Sequence, residues 1–400
     1  MTPTRTDFPL LCQRRINGRP IVYMDAAATS LLPQAVLDAQ LRFAAGVGAS
    51  VHRSHHALGD EATFAFAAAR RRIARFLNAD PRCVVLTAGA TASLNTVARG
   101  LPDALQQRVL VPAIEHHSNL LPWVVCGPAR LFYCDPREPL APERLEVELL
   151  TQHPTLVALS YVSNVTGVVH PIRELCAVAR SHGALSVVDA SQAVAHLPID
   201  VDELGADFVA FSGHKVFGPF GTGVLWGRPE LLEALEPLTL GGGAVEAVTE
   251  GGHDLAQLPQ RLEAGTPNVT GVIGLAAALD YVERLGWGDV TEHDRELAGA
   301  LERELALTPG VRPLMARAPY RIALGSFSID SSTLSVEHLA GLLSDTENIM
   351  VRVGRLCAHP LLEREGMRSV ARVSLTAYNS VAEVARFGTA LRRILGRLRQ

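Results

Sequence analysis

Lysine occurs once in this 400-residue chain, at Lys215, and every other basic residue is an arginine. Arginine stays protonated in proteins and is a poor nucleophile. A desolvated lysine, in contrast, can lose its proton and form a Schiff base with a carbonyl compound. The retained Lys215 therefore indicates carbonyl chemistry, whereas the alternative is an arginine-biased composition that spared one solvated lysine.

A carboxylate that follows another apolar run suggests a partner for Lys215. Asp189 comes directly after Val187 and Val188, and Gln192 follows three residues later. Ligands of doubly wound sheets lie beyond the carboxyl ends of the strands, so Asp189 and Lys215 are expected to face the same ligand. Asp189 either caps the next helix or binds the protonated ring nitrogen of pyridoxal 5′-phosphate (PLP).

Residues 86–91 could bind the phosphate of such a ligand. Their sequence, LTAGAT, predicts the end of a strand, a turn at Gly89 and the start of a helix. Free backbone N–H groups and the positive end of the helix dipole attract anions at such a turn, although a glycine at a turn is most often structural. Ser212 and His214, beside the lysine, could supply further donors.

The composition limits the classes of ligand. Hydrophobic residues make up 48% of the chain and the net charge is -4, which supports a large core and excludes a basic surface for nucleic acid or anionic membranes. Residues 1–20 contain no apolar signal segment and no later stretch could span a bilayer, so we expect a soluble, cytoplasmic protein. The six cysteines show no C-x-x-C pair or metal-ligand spacing, so neither a disulfide framework nor a metal site is expected.

The elements that must position these residues alternate along the chain. From about residue 60, helical periodicity alternates with short apolar runs, which predicts strand-helix-strand units and an α/β fold with a largely parallel sheet. The run at 221–226 predicts an antiparallel strand, so the sheet is mixed. The other predicted strands lie at 83–86, 109–111, 131–134, 156–162, 185–188 and 208–211, and the predicted helices at 60–77, 91–99, 172–182 and 269–285.

From about residue 290, the order of helices and strands predicts a smaller α+β domain at the C-terminus. We expect a large domain over residues 18–285 and a small domain formed by residues 1–17 together with 286–400. Glycines at 241–243 and 251–252 predict a mobile loop between them.

Several motifs together resemble those of the class V aminotransferase superfamily of fold-type I PLP enzymes, and within it the cysteine desulfurase and selenocysteine lyase branch. The resemblance extends from residue 23 almost to the C-terminus and implies a seven-stranded sheet in the large domain. The motifs are YMDAAAT at 23–29, VHR at 51–53, EHHSN at 115–119, VSNVTG at 162–167, VDASQA at 188–193, SGHK at 212–215, EAGTPN at 263–268 and ARVSL at 371–375.

The resemblance implies a role for each matching position. Lys215 matches the lysine that forms the Schiff base with PLP, Asp189 the partner of the pyridine nitrogen, and Gln192 the donor to the phenolic oxygen. His116 matches the imidazole that stacks on the ring and shuttles protons; without the motif it would be interpreted as a core histidine. The phosphate-binding positions are Ala90, Thr91, Ser212, His214 and, from the other subunit of a homodimer, Thr266. The substrate-binding positions are Arg372, Asn164, His52 and Arg352.

Cys357 matches the cysteine that accepts sulfur in this branch. The resemblance implies that Lys215 removes the α-proton of substrate cysteine and that a Cys357 thiolate attacks the substrate sulfur, which releases alanine and leaves a persulfide. A thiolate needs nearby positive charge, which Arg352 and Arg355 could provide. The branch usually has two histidines before this cysteine, whereas this chain has Arg355 and Leu356. Two smaller departures are Ala90 and Ser54, where threonine and glycine are usual.

Three functions remain open at this point. The first is a PLP-dependent cysteine desulfurase that acts through Cys357 and passes sulfur to an acceptor protein. The second is a carbon-sulfur β-lyase that cleaves an S-substituted cysteine and does not need Cys357. The third is a non-catalytic binding protein, which would have no reason to retain the single lysine.

Overall fold

The computed structural model describes residues 5–52, 54–127, 129–317 and 321–397; Arg53 of the VHR motif lies outside them. The helices are α1 (Pro9–Gln13), α2 (Gln34–Gly46), α3 (Ala57–Phe76), α4 (Ala90–Gly100), α5 (Leu121–Cys126), α6 (Pro142–Gln152), α7 (Ile172–Ser181), α8 (Val201–Leu204), α9 (Pro229–Ala234), α10 (Val269–Leu285), α11 (Trp287–Ala306), α12 (Val336–Glu347), α13 (His359–Arg364) and α14 (Val381–Arg397).

The strands are β1 (Arg15–Ile16), β2 (Arg19–Pro20), β3 (Val22–Tyr23), β4 (Val84–Thr87), β5 (Val109–Pro112), β6 (Ala129–Phe132), β7 (Leu156–Ser160), β8 (Leu185–Asp189), β9 (Phe208–Ser212), β10 (Gly223–Gly227), β11 (Val245–Thr249), β12 (Gly252–Leu255), β13 (Val311–Leu314), β14 (Leu324–Ile329), β15 (Ile349–Met350), β16 (Arg352–Gly354) and β17 (Val370–Ser374).

Seven strands form one sheet in the order β4-β10-β9-β8-β7-β5-β6. The strands from β9 to β6 pair in parallel, while β10 runs antiparallel to both β4 and β9. The mixed, mostly parallel seven-stranded sheet is thus confirmed. The strand predicted at 131–134 begins two residues earlier, at Ala129, because β6 pairs with β5 in a register that joins Val109 to Ala129.

Burial explains why these segments adopt their structure. All five residues of β9 are buried, as expected for a parallel strand that is covered on both faces. Helix α7 buries residues 172, 175, 176 and 179, whose spacing places them on one helical face. The sheet therefore carries the end of β8 at Asp189, and the end of β9 just before Lys215, to one edge.

A second hydrophobic core lies in the C-terminal part of the chain. It packs against the antiparallel sheet β13-β14-β17-β16 and includes residues of α11, α12 and α14. The chain reaches it after α10, whose bounds agree with the predicted helix. Val22 and Met24 belong to this second core, whereas Phe8 and Leu11 belong to the first. The division of the chain at residues 18 and 285 stays a prediction.

The segment predicted to be a mobile loop contains regular structure instead. β11 and β12 form a two-stranded antiparallel ribbon in which Thr249 pairs with Gly252. The mobile loop was predicted from the flanking glycines alone. Val245, Val248 and Thr249 are β-branched, and such residues favour extended structure.

Within the described ranges, no helix has the length and apolar content needed to cross a bilayer. All six cysteines are free thiols. Among the described residues, no group of three or more His, Cys, Asp or Glu side chains is placed to hold a metal ion.

Candidate active site

A cavity of about 400 Å³ lies at the edge of the large sheet where β8 and β9 end. Its lining contains twelve of the fourteen site residues expected from the sequence: Ala90, Thr91, His116, Asn164, Asp189, Gln192, Ser212, His214, Lys215, Arg352, Cys357 and Arg372. The cavity lining also includes four residues that were not predicted to be part of the site: Asp25, Ser118, Ser191 and Phe220.

Lys215 enters the cavity from a short 3-10 turn, residues 213–215, that directly follows β9. Its Nζ has no hydrogen-bond or ion-pair partner in the part of the chain that the structure describes. Burial lowers the pKa of Lys215 below that of a free lysine, and the nearby Asp189 opposes this effect. Desolvation thus favours the neutral amine, which is the nucleophilic and basic form of lysine.

Asp189 and Gln192 are fixed by hydrogen bonds near the end of β8. Oδ1 of Asp189 accepts a hydrogen bond from the backbone N–H of Ser191 at 2.9 Å. Nε2 of Gln192 donates to the carbonyl of Ala27 at 2.9 Å. The residues after Asp189 form turns rather than a helix, so its hydrogen bond with Ser191 closes a local turn and does not cap a helix. The carboxylate also lines the cavity and can accept a proton-bearing group of a ligand.

The glycine turn before α4 is shaped by close backbone packing. Gly89 has φ +152°, a conformation that L side chains rarely adopt, and a Cβ on Gly223 would lie 2.3 Å from the Cα of Gly89. Oγ of Ser212 accepts a hydrogen bond from the backbone N–H of Ala90 at 2.8 Å. The hydroxyls of Thr91 and Ser118 are 2.7 Å apart. Donors from three segments thus meet at the N-terminus of α4, where the helix dipole favours an anion.

His116 precedes a 3-10 turn that Glu115 anchors to the sheet. Nδ1 of His116 accepts a hydrogen bond from the backbone N–H of Ser118 at 3.1 Å. Burial, aided by the charge of Lys215, lowers the pKa of His116 to about 4, so the imidazole is neutral at physiological pH. The Glu115 carboxylate accepts from the backbone N–H of Ser160 at 2.7 Å and from Nδ2 of Asn119 at 2.8 Å.

Arg372 is buried on β17, with 4% of its surface exposed. Nη1 donates to the carbonyl of Asn164 at 3.0 Å, and Nη2 donates to Oδ1 of Asp25 at 3.2 Å. Nε has no partner among the described residues. The guanidinium is therefore fixed at the cavity wall. Asp25 was not among the predicted site residues, although its place after β3 in the YMDAAAT motif could have indicated it.

Leu356 and Cys357 line the cavity, and Cys357 is exposed. Nδ2 of Asn164 donates to the carbonyl of Leu356 at 2.9 Å, and the backbone N–H of His117 donates to the carbonyl of Cys357 at 2.8 Å. Cys357 contributes to the electrostatic surroundings of both Lys215 and Arg372. Arg352 lines the cavity, whereas Arg355 does not.

The structure does not bring His52 or Thr266 into the cavity of their own chain. Both residues are exposed. The loop before Thr266 is anchored by Glu263, which forms a two-point ion pair with Arg70 at 2.6 and 2.7 Å. At the cavity wall, the ring of His214 stacks on Phe220 at 5.7 Å, and 69% of the Phe220 surface is exposed.

Comparisons with known proteins agree over nearly the whole chain. The family described as aminotransferase class V matches residues 22–387. A probable cysteine desulfurase of Xylella fastidiosa strain 9a5c is 41% identical, covering 98% of this chain and 95% of the relative. A cysteine desulfurase of Klebsiella pneumoniae is 38% identical, covering 98% of this chain and 97% of the relative.

Two solved structures share the fold. The apo cysteine desulfurase from Thermococcus onnurineus NA1 has a TM-score of 0.91 and 34% identity, and covers 99% of this chain and 98% of that chain. The cysteine desulfurase CsdA from Escherichia coli has a TM-score of 0.85 and 36% identity, and covers 98% of each chain. Together with the family match, these likenesses show that the chain belongs to the class V aminotransferase family and to its cysteine desulfurase branch.

Proposed function

We propose that this protein is a PLP-dependent cysteine desulfurase that converts L-cysteine to alanine and carries the sulfur as a persulfide on Cys357. The observation that carries the proposal is that the Cys357 thiol residue lines the same cavity as Lys215, Asp189 and Arg372. This arrangement combines an amine for a carbonyl cofactor, a partner for its ring, a cation for a carboxylate, and a sulfur nucleophile.

The residues around the cavity suit PLP. Nδ1 of His214 and Oγ of Ser191 are buried polar atoms without a partner among the described residues, and both residues line the cavity. The N-terminus of α4, Ser212 and Thr91 would hold the phosphate, Asp189 the pyridine nitrogen, and Lys215 the aldehyde carbon. When bound there, PLP supplies an electron sink for negative charge that develops at the substrate α-carbon.

The residues of this chain would divide the remaining tasks. Arg372 would bind the substrate carboxylate, because a guanidinium suits two-point contact with a carboxylate, and the Asn164 side chain lies beside it. Because its pKa is lowered by burial, Lys215 would act as the base that removes the α-proton. The neutral imidazole of His116 would pack on the ligand and hold or move a proton.

Cys357 would complete sulfur transfer. Its thiolate attacks the sulfur of substrate cysteine, so that a sulfur-sulfur bond forms while the carbon-sulfur bond breaks. The electron pair remains with the three-carbon fragment, which takes up protons and leaves as alanine. Because the Cys357 loop is exposed, a sulfur-acceptor protein could reach the persulfide. Arg352, an exposed residue on the cavity lining, would favour the thiolate through its charge.

We also propose a homodimer in which Thr266 completes the phosphate site and His52 the substrate site of the partner subunit. Two features support this proposal. His52 and Thr266 are exposed and lie outside the cavity of their own chain, and Phe220 leaves a large apolar surface exposed beside that cavity.

Replacement of Cys357 by Ala tests the reaction. With free cysteine and PLP, we expect alanine production and persulfide formation in the wild type, and loss of both in Cys357→Ala. The matched control is Cys12→Ala, which removes the other exposed thiol and should leave turnover unchanged. Retained cleavage of S-alkyl cysteines by Cys357→Ala, together with no alanine from free cysteine in the wild type, would instead establish a β-lyase.

Borohydride reduction tests cofactor attachment separately. Because Lys215 is the sole ε-amine of the chain, reduction in the presence of PLP should attach a pyridoxyl group to one internal peptide. Absence of the label on Lys215 would contradict the proposed cofactor.

A further inference from the structure

The loop that carries Cys357 has an unusual backbone. Leu356 has φ +50° and Cys357 has φ +53°, so two consecutive residues with side chains adopt the left-handed region. This region is unfavourable for residues other than glycine, and it persists where surrounding contacts determine the conformation. The position of the thiol thus depends on the groups that hold these two residues in place.

Three hydrogen bonds to other segments of the chain hold this turn. Nδ2 of Asn164 donates to the carbonyl of Leu356 at 2.9 Å. The other two bonds come from His117, whose backbone N–H donates to the carbonyl of Cys357 at 2.8 Å. Nε2 of the same residue accepts from the backbone N–H of His359 at 3.3 Å. His117 therefore contacts the main chain on both sides of Ala358.

We propose that His117 is a positioning residue for the sulfur-accepting thiol, because it brackets the segment 357–359 and keeps Cys357 in its left-handed conformation at the cavity. This role rests on the proposed desulfurase function. In this chain Arg355 and Leu356 precede the cysteine, where the related branch usually has two histidines. His117, which follows His116 in the sequence, would hold the cysteine loop in place from another segment.

The bracket requires an unprotonated Nε2 on His117, since a protonated nitrogen cannot accept the N–H of His359. The titratable or charged groups near His117 are His116 on its own segment, and His359 and Arg355 on the thiol loop and α13. Burial, His359 and Arg355 lower the pKa of His117, so the bracket is closed at neutral pH. The hydrogen bond from the His359 N–H to Nε2 breaks when His117 is protonated, which occurs as the pH falls through the lowered pKa of His117.

Hydrogen-deuterium exchange of the full-length protein measures the bracket without requiring turnover. In His117→Ala we expect the amides of residues 357–359 to exchange about fivefold faster, as expected when one net hydrogen bond is lost. His117→Gln keeps a side-chain acceptor and should restore much of the protection. The matched control is His359→Ala, which removes the ring contact between His117 and His359, 4.4 Å between centroids, but keeps the donating backbone N–H.

The pH profile distinguishes positioning from a general packing role. After correction for intrinsic amide exchange, the wild type should lose protection at 357–359 as His117 is protonated, whereas His117→Gln should show no such step. If His117→Ala does not fold, this comparison still decides the question. Unchanged exchange in His117→Ala, an equal effect in His359→Ala, or the same pH step in His117→Gln would each overturn the proposal.

Steady-state kinetics with cysteine test whether His117 affects turnover. Because Arg372 and Asn164 are intact, His117→Ala should lower kcat about fivefold or more, by the same loss of a hydrogen bond, with little change in KM. A rise in KM at unchanged kcat would count against the positioning role. If the wild type itself makes no alanine, the proposed function fails while the exchange result on the bracket still stands or falls separately.

Discussion

Asp25 and Arg372 form an ion pair at the wall of the cavity, with Nη2 of the arginine 3.2 Å from Oδ1 of the aspartate. Only 4% of the Arg372 side chain and 16% of the Asp25 side chain are exposed. Burial raises the pKa of Asp25, although Arg372 opposes the shift. The pair fixes the guanidinium at the cavity wall, where under the proposed function it would bind the substrate carboxylate.

Breaking this pair should cost both stability and substrate binding. Arg372→Met leaves a largely buried carboxylate without its partner, which we expect to cost about 3 kcal/mol in the free energy of unfolding. It should also raise KM for cysteine. Urea unfolding measures the first effect, and initial rates measure the second. The double variant with Asp25→Asn should recover part of the stability, and simple additivity of the two losses would show that the residues do not interact.

His116 should contribute a proton-transfer function beyond its ring surface. His116→Phe keeps an aromatic ring but removes the nitrogen atoms, so we expect PLP binding to persist while kcat falls about 10²- to 10⁴-fold, the range for loss of a general acid or base. Absorbance of the bound cofactor measures binding, and alanine release measures kcat. Full turnover by His116→Phe would restrict the residue to a stacking role. His116→Ala should lose both functions.

Thr266 should act across the dimer. Lys215→Ala and Thr266→Ala are each expected to be weakly active or inactive as pure proteins. If the two are unfolded and reassembled in equal amounts, half of the dimers should be mixed, and each mixed dimer should contain one intact site. We therefore expect about one quarter of wild-type activity to return, from the symmetry of a two-subunit assembly. If the activity of the mixture does not exceed the mean activity of the two pure variants, Thr266 acts in the site of its own chain.

Glu115 should make stability depend on pH. Burial raises the pKa of Glu115 from 4.5 to about 7, against the opposing hydrogen bonds from Ser160 and Asn119. Between these two values the folded protein binds more protons than the unfolded chain, so the free energy of unfolding decreases as the pH rises through this window.

Glu115→Gln tests this sign. Across the same pH window the wild type should lose about 3 kcal/mol relative to the variant, the order of magnitude that corresponds to this rise in pKa. Urea unfolding at several pH values between 4.5 and 8 provides the comparison. Parallel pH profiles for the two proteins would show that folding does not raise the pKa of Glu115.

Much of the fold followed from local sequence patterns. The apolar runs around Val187 and Phe208 predicted buried parallel strands, and the bounds of α10 were predicted to the residue. The ribbon of β11 and β12 was missed, because two short exposed strands leave a weak hydrophobic pattern. The start of β6 was also displaced, since its register depends on pairing with β5.

For the candidate site, residue type and chain position indicated most of the cavity lining. Lys215 was identifiable because no other lysine competes with it, and Asp189 because it ends an apolar run. Asp25 was missed because its partner Arg372 lies 347 residues away in sequence. His117 was missed because the EHHSN motif assigned the role to its neighbour His116, and because its hydrogen-bond partners are main-chain groups of residues 357 and 359, more than 200 positions away in sequence.

Side-chain type and hydrophobic period are local properties of the chain, so the groups able to do chemistry and the strand ends that carry them were predictable from the residues. Which distant segments meet became clear from the folded chain. It paired Asp25 with Arg372, placed Asn164 against Leu356, and closed His117 around the left-handed turn at Cys357. Each contact joins segments that are far apart in the sequence, so no local pattern encodes it.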